Sequence, residues 1–175
     1  GMGRGALGFD ADRRLATGPE LADYGILHFA THAVFDEIHP ELSGIVLSLL
    51  DRQGRPQEGY LRAYEIYHLN LPVDLVVLSA CRTALGADVR VEGLSGLPRG
   101  FMYAGAQRVV VSLWNVSDKG TAHLMELFYR GLLLKRLRPA AALRAAQIEM
   151  LRGRDFHEPY YWAGFILEGE WRGNP

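Results

Sequence analysis

Residues 73–80 and 109–113 are apolar at nearly every position, and few folds accept such runs. A strand with one wet face alternates apolar and polar side chains. A run without that alternation suits a strand covered on both faces, as in a parallel sheet clad by helices. Residues 26–31, 45–50 and 162–167 read as further strands. Between the strands lie stretches with helical spacing. Leu94, Leu97, Phe101 and Ala104 share one face, and Pro98 is tolerated there if the helix begins near Ser95 or Gly96. Leu124, Leu127, Phe128 and Leu132 follow a cap expected at Ser117 or Asp118. Leu143, Ala146, Met150 and Leu151 form an inner stripe behind Pro139, which suits a first helical position. A short helix is expected at 62–69, stopped by Asn70-Leu71-Pro72, and a turn at Asp51-Arg52-Gln53-Gly54. This alternation predicts an α/β fold with a mostly parallel central sheet and right-handed crossovers.

The length of 175 residues fits one domain with a full core. The expected division is a Gly/Arg/Asp-rich arm or linker at 1–20 and a folded domain at 21–172. Gly1-Met2 looks like a tag remnant, so the chain is expected to continue upstream, and the sheet is expected to lack strands from that region. A net charge of -1 argues against a nucleic-acid groove or a polybasic membrane anchor. No apolar stretch approaches the roughly 18 residues of a membrane span, and no signal peptide is evident. A single cysteine excludes an internal disulfide and fits a reducing, cytoplasmic setting.

That cysteine carries the chemistry. Cys81 ends the apolar run at 73–80, and His32 ends the run at 26–31. Ligands of open parallel sheets bind outside the carboxyl ends of the strands. If the two strands are neighbours, the side chains share a cleft. An imidazole there can draw the proton from the thiol and return it to a leaving amine. On spacing alone, a buried cysteine and a loop histidine are equally good readings. His28 and His32 stand four apart, but no glutamate follows His28, so a zinc helix motif is not expected and His28 reads as a core residue. The glycines at 93, 96 and 100 lack the spacing and preceding strand of a dinucleotide loop. No cofactor or metal is expected.

A set of ordered motifs adds to this reading: His28-Phe29-Ala30-Thr31-His32, Leu78-Ser79-Ala80-Cys81, Glu92-Gly93-Leu94 through Gly96-Leu97, Ala104-Gly105-Ala106, Val111-Ser112-Leu113-Trp114-Asn115-Val116-Ser117-Asp118 and Tyr161-Trp162-Ala163. Together, over about residues 21–171, they resemble the CHAT family, caspase-like domains usually carboxyl-terminal to tetratricopeptide repeats. The resemblance implies a caspase-like three-layer α/β sandwich with His32 and Cys81 as a catalytic dyad. It implies an oxyanion site from the backbone N–H groups of Ala33 and Cys81, where one lost donor typically costs ~10²–10³ in rate. The family more often has glycine where this chain has Ala33 and Ala84, and alanine is disfavoured wherever a positive φ is needed.

The resemblance also implies a substrate pocket near Ser79, Trp114, Asp118 and Glu92. An acid there would greet an arginine or lysine, although Asp118 reads more readily as a helix N-cap than as a pocket acid. The expected function is a caspase-like cysteine endopeptidase, regulated within a larger repeat protein. Its partners would be a protein or peptide substrate and upstream repeats or a regulatory protein, with no nucleic acid and no membrane. An exposed sheet edge would either recruit a second copy or be covered by residues 1–20. The alternatives are a catalytically latent signalling or scaffold domain of the same fold, and an acyl-transferring enzyme using the same dyad.

Overall fold

The computed structural model describes residues 3–34, 36, 38–79, 81–82 and 96–172, with residues 81 and 82 described by their backbone alone. In chain order the strands are β1 (Ile26–Phe29), β2 (His32–Val34), β3 (Gly44–Val46), β4 (Tyr60–Arg62), β5 (Leu75–Leu78), β6 (Cys81–Arg82), β7 (Arg108–Ser112) and β8 (Phe165–Gly169). The α-helices are α1 (Arg13–Ala16), α2 (Ala63–Ile66), α3 (Gly96–Tyr103), α4 (Asp118–Tyr129) and α5 (Pro139–Arg152).

The main sheet runs β1-β5-β7-β8. β1, β5 and β7 are parallel, and β8 closes one edge antiparallel to β7. All four residues of β5 and all five of β7 are buried. The reason is visible in where alternate side chains go. Val76, Leu78, Val109 and Val111 enter one core with Ile66, Leu97 and Phe101, from α2 and α3. Leu75, Val77 and Val110 enter the other with Leu124, Phe128, Leu143 and Met150, from α4 and α5. Side chains of a strand alternate between faces, so a strand with a core on each face must be apolar throughout. The result is three layers: helices, sheet, helices. Among the expected stripe residues, Leu151 departs from the pattern and stands 52% exposed.

A second, smaller sheet runs β4-β3-β2-β6 and was not expected from the sequence. Its strands have two or three residues each, and those of β2 and β4 bury only the middle residue. Gly44 opens β3 so close to β4 that an added Cβ would lie 2.5 Å from the Leu61 carbonyl. The expected turn at 51–54 is present, with Gly54 at φ +76.

The arm is partly folded. Asp12 caps α1 through the Leu15 N–H, and Ala16 and Leu21 join the core. Arg13 grips Glu65 with two hydrogen bonds, of 2.6 and 3.0 Å, and also donates to the Tyr60 carbonyl. Leu7 and Leu15 of the arm, with Leu21 and Tyr24, line a groove along the outer edge of β1, the edge away from β5, which among the described residues carries no partner strand.

Candidate active site at the switch between the sheets

The chain changes sheet twice, and the two changes meet. β1 pairs with β5 up to Phe29 and Leu78. After residues 30–31 the first segment enters the small sheet as β2, beginning at His32. After residues 79–80 the second enters it as β6, beginning at Cys81. β2 and β6 are parallel, and His32 and Cys81 are direct register partners. Neighbouring strands lie about 4.8 Å apart. The two residues that the sequence singled out therefore sit side by side on the backbone, past the carboxyl ends of adjacent parallel strands.

Side chains at the two crossings fix this junction. The Thr31 hydroxyl donates to the Val46 carbonyl of β3. On the other crossing, His28 Nε2 and Ser79 Oγ are hydrogen-bonded at 2.7 Å. The His28 ring also lies against Tyr129 of α4, centroid to centroid 5.6 Å. One side of the ring is open to a cavity. The protein enclosing the rest lowers its pKa below the usual imidazole value, because burial penalises the charged form. His28 is thus not the packed core residue expected, and nothing in its sequence context reveals the bond to Ser79.

The cavity, of about 480 Å³, lies between the ends of β1 and β5 and the first turns of α4. His28, Thr31, His32, Ser79, Asp118, Thr121 and Met125 are among its lining residues. His32 is exposed, as a group exchanging protons with a substrate must be. Asp118 is the first residue of α4, with Ser117 at the N-cap position but making no side-chain capping bond. Thr121 is 8% exposed, and its Oγ1 has no hydrogen-bond partner. Thr121 is a cavity residue for which the sequence offered no signal.

Of the other expected site residues, Ala33 is buried in β2, register partner of both Ile45 and Arg82. Among the described residues only Arg136 and Phe156 are non-glycine residues with positive φ, so alanine is accommodated at 33 without strain. Trp114 is turned elsewhere. Its Nε1 donates to the Tyr160 carbonyl at 2.9 Å, and its ring covers Gly164. Glu92 and Ala84 lie outside the described residues. Among the described residues, no group of three or more His, Cys, Asp or Glu side chains could hold a metal ion, and no helix is long and apolar enough to cross a membrane.

A mostly parallel sheet between two helical layers, with a histidine and a cysteine just beyond neighbouring strands, is the architecture of the caspase-like class. The CHAT domain family model matches residues 9–170, and the chain belongs to that family. Similar proteins include tetratricopeptide repeat protein 28 of Homo sapiens and of Mus musculus. Each is 39% identical over 113 residues, or 65% of this chain. The chain spans about 4% of the length of these curated relatives.

Proposed function

We propose that this domain is a caspase-like cysteine endopeptidase, carried in a larger repeat-containing protein of the cytoplasm and regulated there. The observation that carries this reading is the register pairing of His32 with Cys81 beside an open cavity. In the reaction, His32 takes the thiol proton and the Cys81 sulfur attacks the scissile carbonyl. The oxyanion is held by backbone N–H groups of Ala33 and Cys81. The tetrahedral adduct collapses, the C–N bond breaks, and the proton on His32 passes to the leaving amine. Water, deprotonated by His32, then releases the acyl group and restores the thiol.

The substrate side chain before the cut occupies the cavity lined by Ser79 and Asp118. An acid at that wall favours arginine or lysine over an acidic side chain by charge complementarity. Trp114, expected on the same wall, is not among the described lining residues, and Glu92 lies outside the described residues. Tetratricopeptide repeats, which give both relatives their name, are the proposed upstream partner.

The test is labelling by a peptide-based electrophile with arginine at its first position. Cys81 is the only cysteine, so any thiol adduct reports on it alone. Labelling should be lost in Cys81→Ala and reduced about a hundredfold or more in His32→Ala. Equal labelling of wild type and His32→Ala would favour the latent scaffold.

A further inference from the structure

We propose that His28 and Ser79 form a latch that holds the chain crossing from β5 to β6, and so fixes where Cys81 stands relative to His32. The proposal rests on the dyad reading and assigns His28 and Ser79 as positioning residues within it.

The need for a latch follows from the topology. Among the described residues, β6 is Cys81–Arg82 and pairs with β2. A slip of one residue in that pairing turns every side chain of the strand to the opposite face. Upstream, the β5 ladder to β1 ends at Leu78. Ser79 is therefore the first residue past that ladder, two before Cys81. The crossing from β1 to β2 has a corresponding constraint, the Thr31 hydroxyl on the Val46 carbonyl of β3.

On the β5 side the side-chain anchor is Ser79. It is 9% exposed, and its partner is His28, one strand away at 2.7 Å. His28 is well placed to act as a fixed post. Its backbone lies within the β1–β5 ladder opposite Val77, and its ring leans on Tyr129 of α4. The protein around the ring disfavours its charged form and lowers its pKa. The main sheet and a core helix thus hold the serine two residues before the nucleophile. Both latch residues line the cavity, so the bond can form without displacing the substrate wall.

The experiment uses the unique thiol and needs no peptide substrate. The second-order rate of Cys81 alkylation by iodoacetamide is measured against pH in wild type, His32→Ala, Ser79→Ala, Ser79→Thr and the Ser79→Ala/His32→Ala double variant, with melting temperatures alongside. A rise of one unit in the thiol pKa cuts the thiolate, and with it the rate near neutral pH, about tenfold. The latch predicts that Ser79→Ala is slower by about that factor with its pH profile moved upward. It also predicts that His32→Ala causes little further loss in that background, and that Ser79→Thr restores both rate and profile. His28→Phe, which keeps a ring against Tyr129 but removes the nitrogen, should reproduce Ser79→Ala and serves if that variant does not fold. A wild-type rate and an intact His32 dependence in Ser79→Ala and His28→Phe would overturn the latch and leave the dyad standing. A wild-type rate that does not depend on His32 would overturn the dyad, and the latch with it.

Discussion

The placement of Trp114 can be tested with one methyl group. A Cβ added at Gly164 would lie 2.7, 2.9 and 3.1 Å from three atoms of the Trp114 indole. Ordinary contact begins at 3.4 Å, so the ring must retreat by about 0.7 Å. It is held by its Nε1 bond to the Tyr160 carbonyl, at 2.9 Å, and a shift of that size is enough to break or bend it. Gly164 does not have a left-handed φ, so the backbone accepts alanine and the effect is one of contact alone. One lost hydrogen bond, about 1 kcal/mol, together with overpacking of about 1–2 kcal/mol, gives a loss of roughly 2–3 kcal/mol. For a chain of this size that is a fall of roughly 4–12 °C in melting temperature. The assay is thermal unfolding of Gly164→Ala in the wild-type and Trp114→Phe backgrounds. The smaller ring relieves the clash, so the alanine should cost less than half as much in the second background. An equal cost in both, or no cost in the first, would refute the assignment of Trp114 as a post under residues 159–164.

Two further outcomes follow from the packing. Glu65 is held below the usual carboxylate range, chiefly by its hydrogen bond from Arg13 and despite partial burial. Because its folded pKa is depressed, the stabilisation is full above the unfolded value of about 4.3 and is lost as pH falls through the folded value. Arg13→Ala should therefore cost about 1 kcal/mol more at pH 7 than at pH 3 in urea titrations, discounted for the pair's partial exposure, the bond to the Tyr60 carbonyl being lost at both. A gap that stays constant with pH would contradict this. Phe101 is fully buried, with its ring 5.3 Å from that of Phe29 in β1. Phe101→Ala should cost about 3–5 kcal/mol by chemical denaturation, and a value under about 1 kcal/mol would show that the α3 layer is not part of the core.

The main sheet was legible because both of its faces are covered: β5 and β7 are buried throughout, and that condition is written as the apolar runs Leu75–Leu78 and Val109–Val111, the second bounded by buried Arg108 and Ser112. The small sheet was not. Its strands are too short for a period to develop: the strand read at 45–50 overlaps β3 only at Ile45 and Val46, and its membership of a separate sheet depends on long-range pairing with β2 and β4. The juxtaposition of His32 and Cys81 on neighbouring strands was legible because each follows an apolar run, and such runs end at the same edge of a parallel sheet. The bond between His28 and Ser79 was hidden, since it depends on the β1–β5 register, which local sequence does not specify. The indole of Trp114 was misjudged for a similar reason: its partner, Tyr160, lies 46 residues away.

The two-sheet construction also separates rigidity from reactivity. Amides of β5 and β7, flanked by strands on both sides and covered by both cores, should exchange hydrogen only when the whole domain opens. Those of β6, at the edge of the small sheet among the described residues, should exchange through a more local opening. Cys81, the proposed nucleophile, thus stands outside the high-stability sheet. Any contact that tightens or loosens β6 changes the population of competent sites severalfold while the global melting temperature barely moves, so activity and thermal stability should vary independently among variants of this domain.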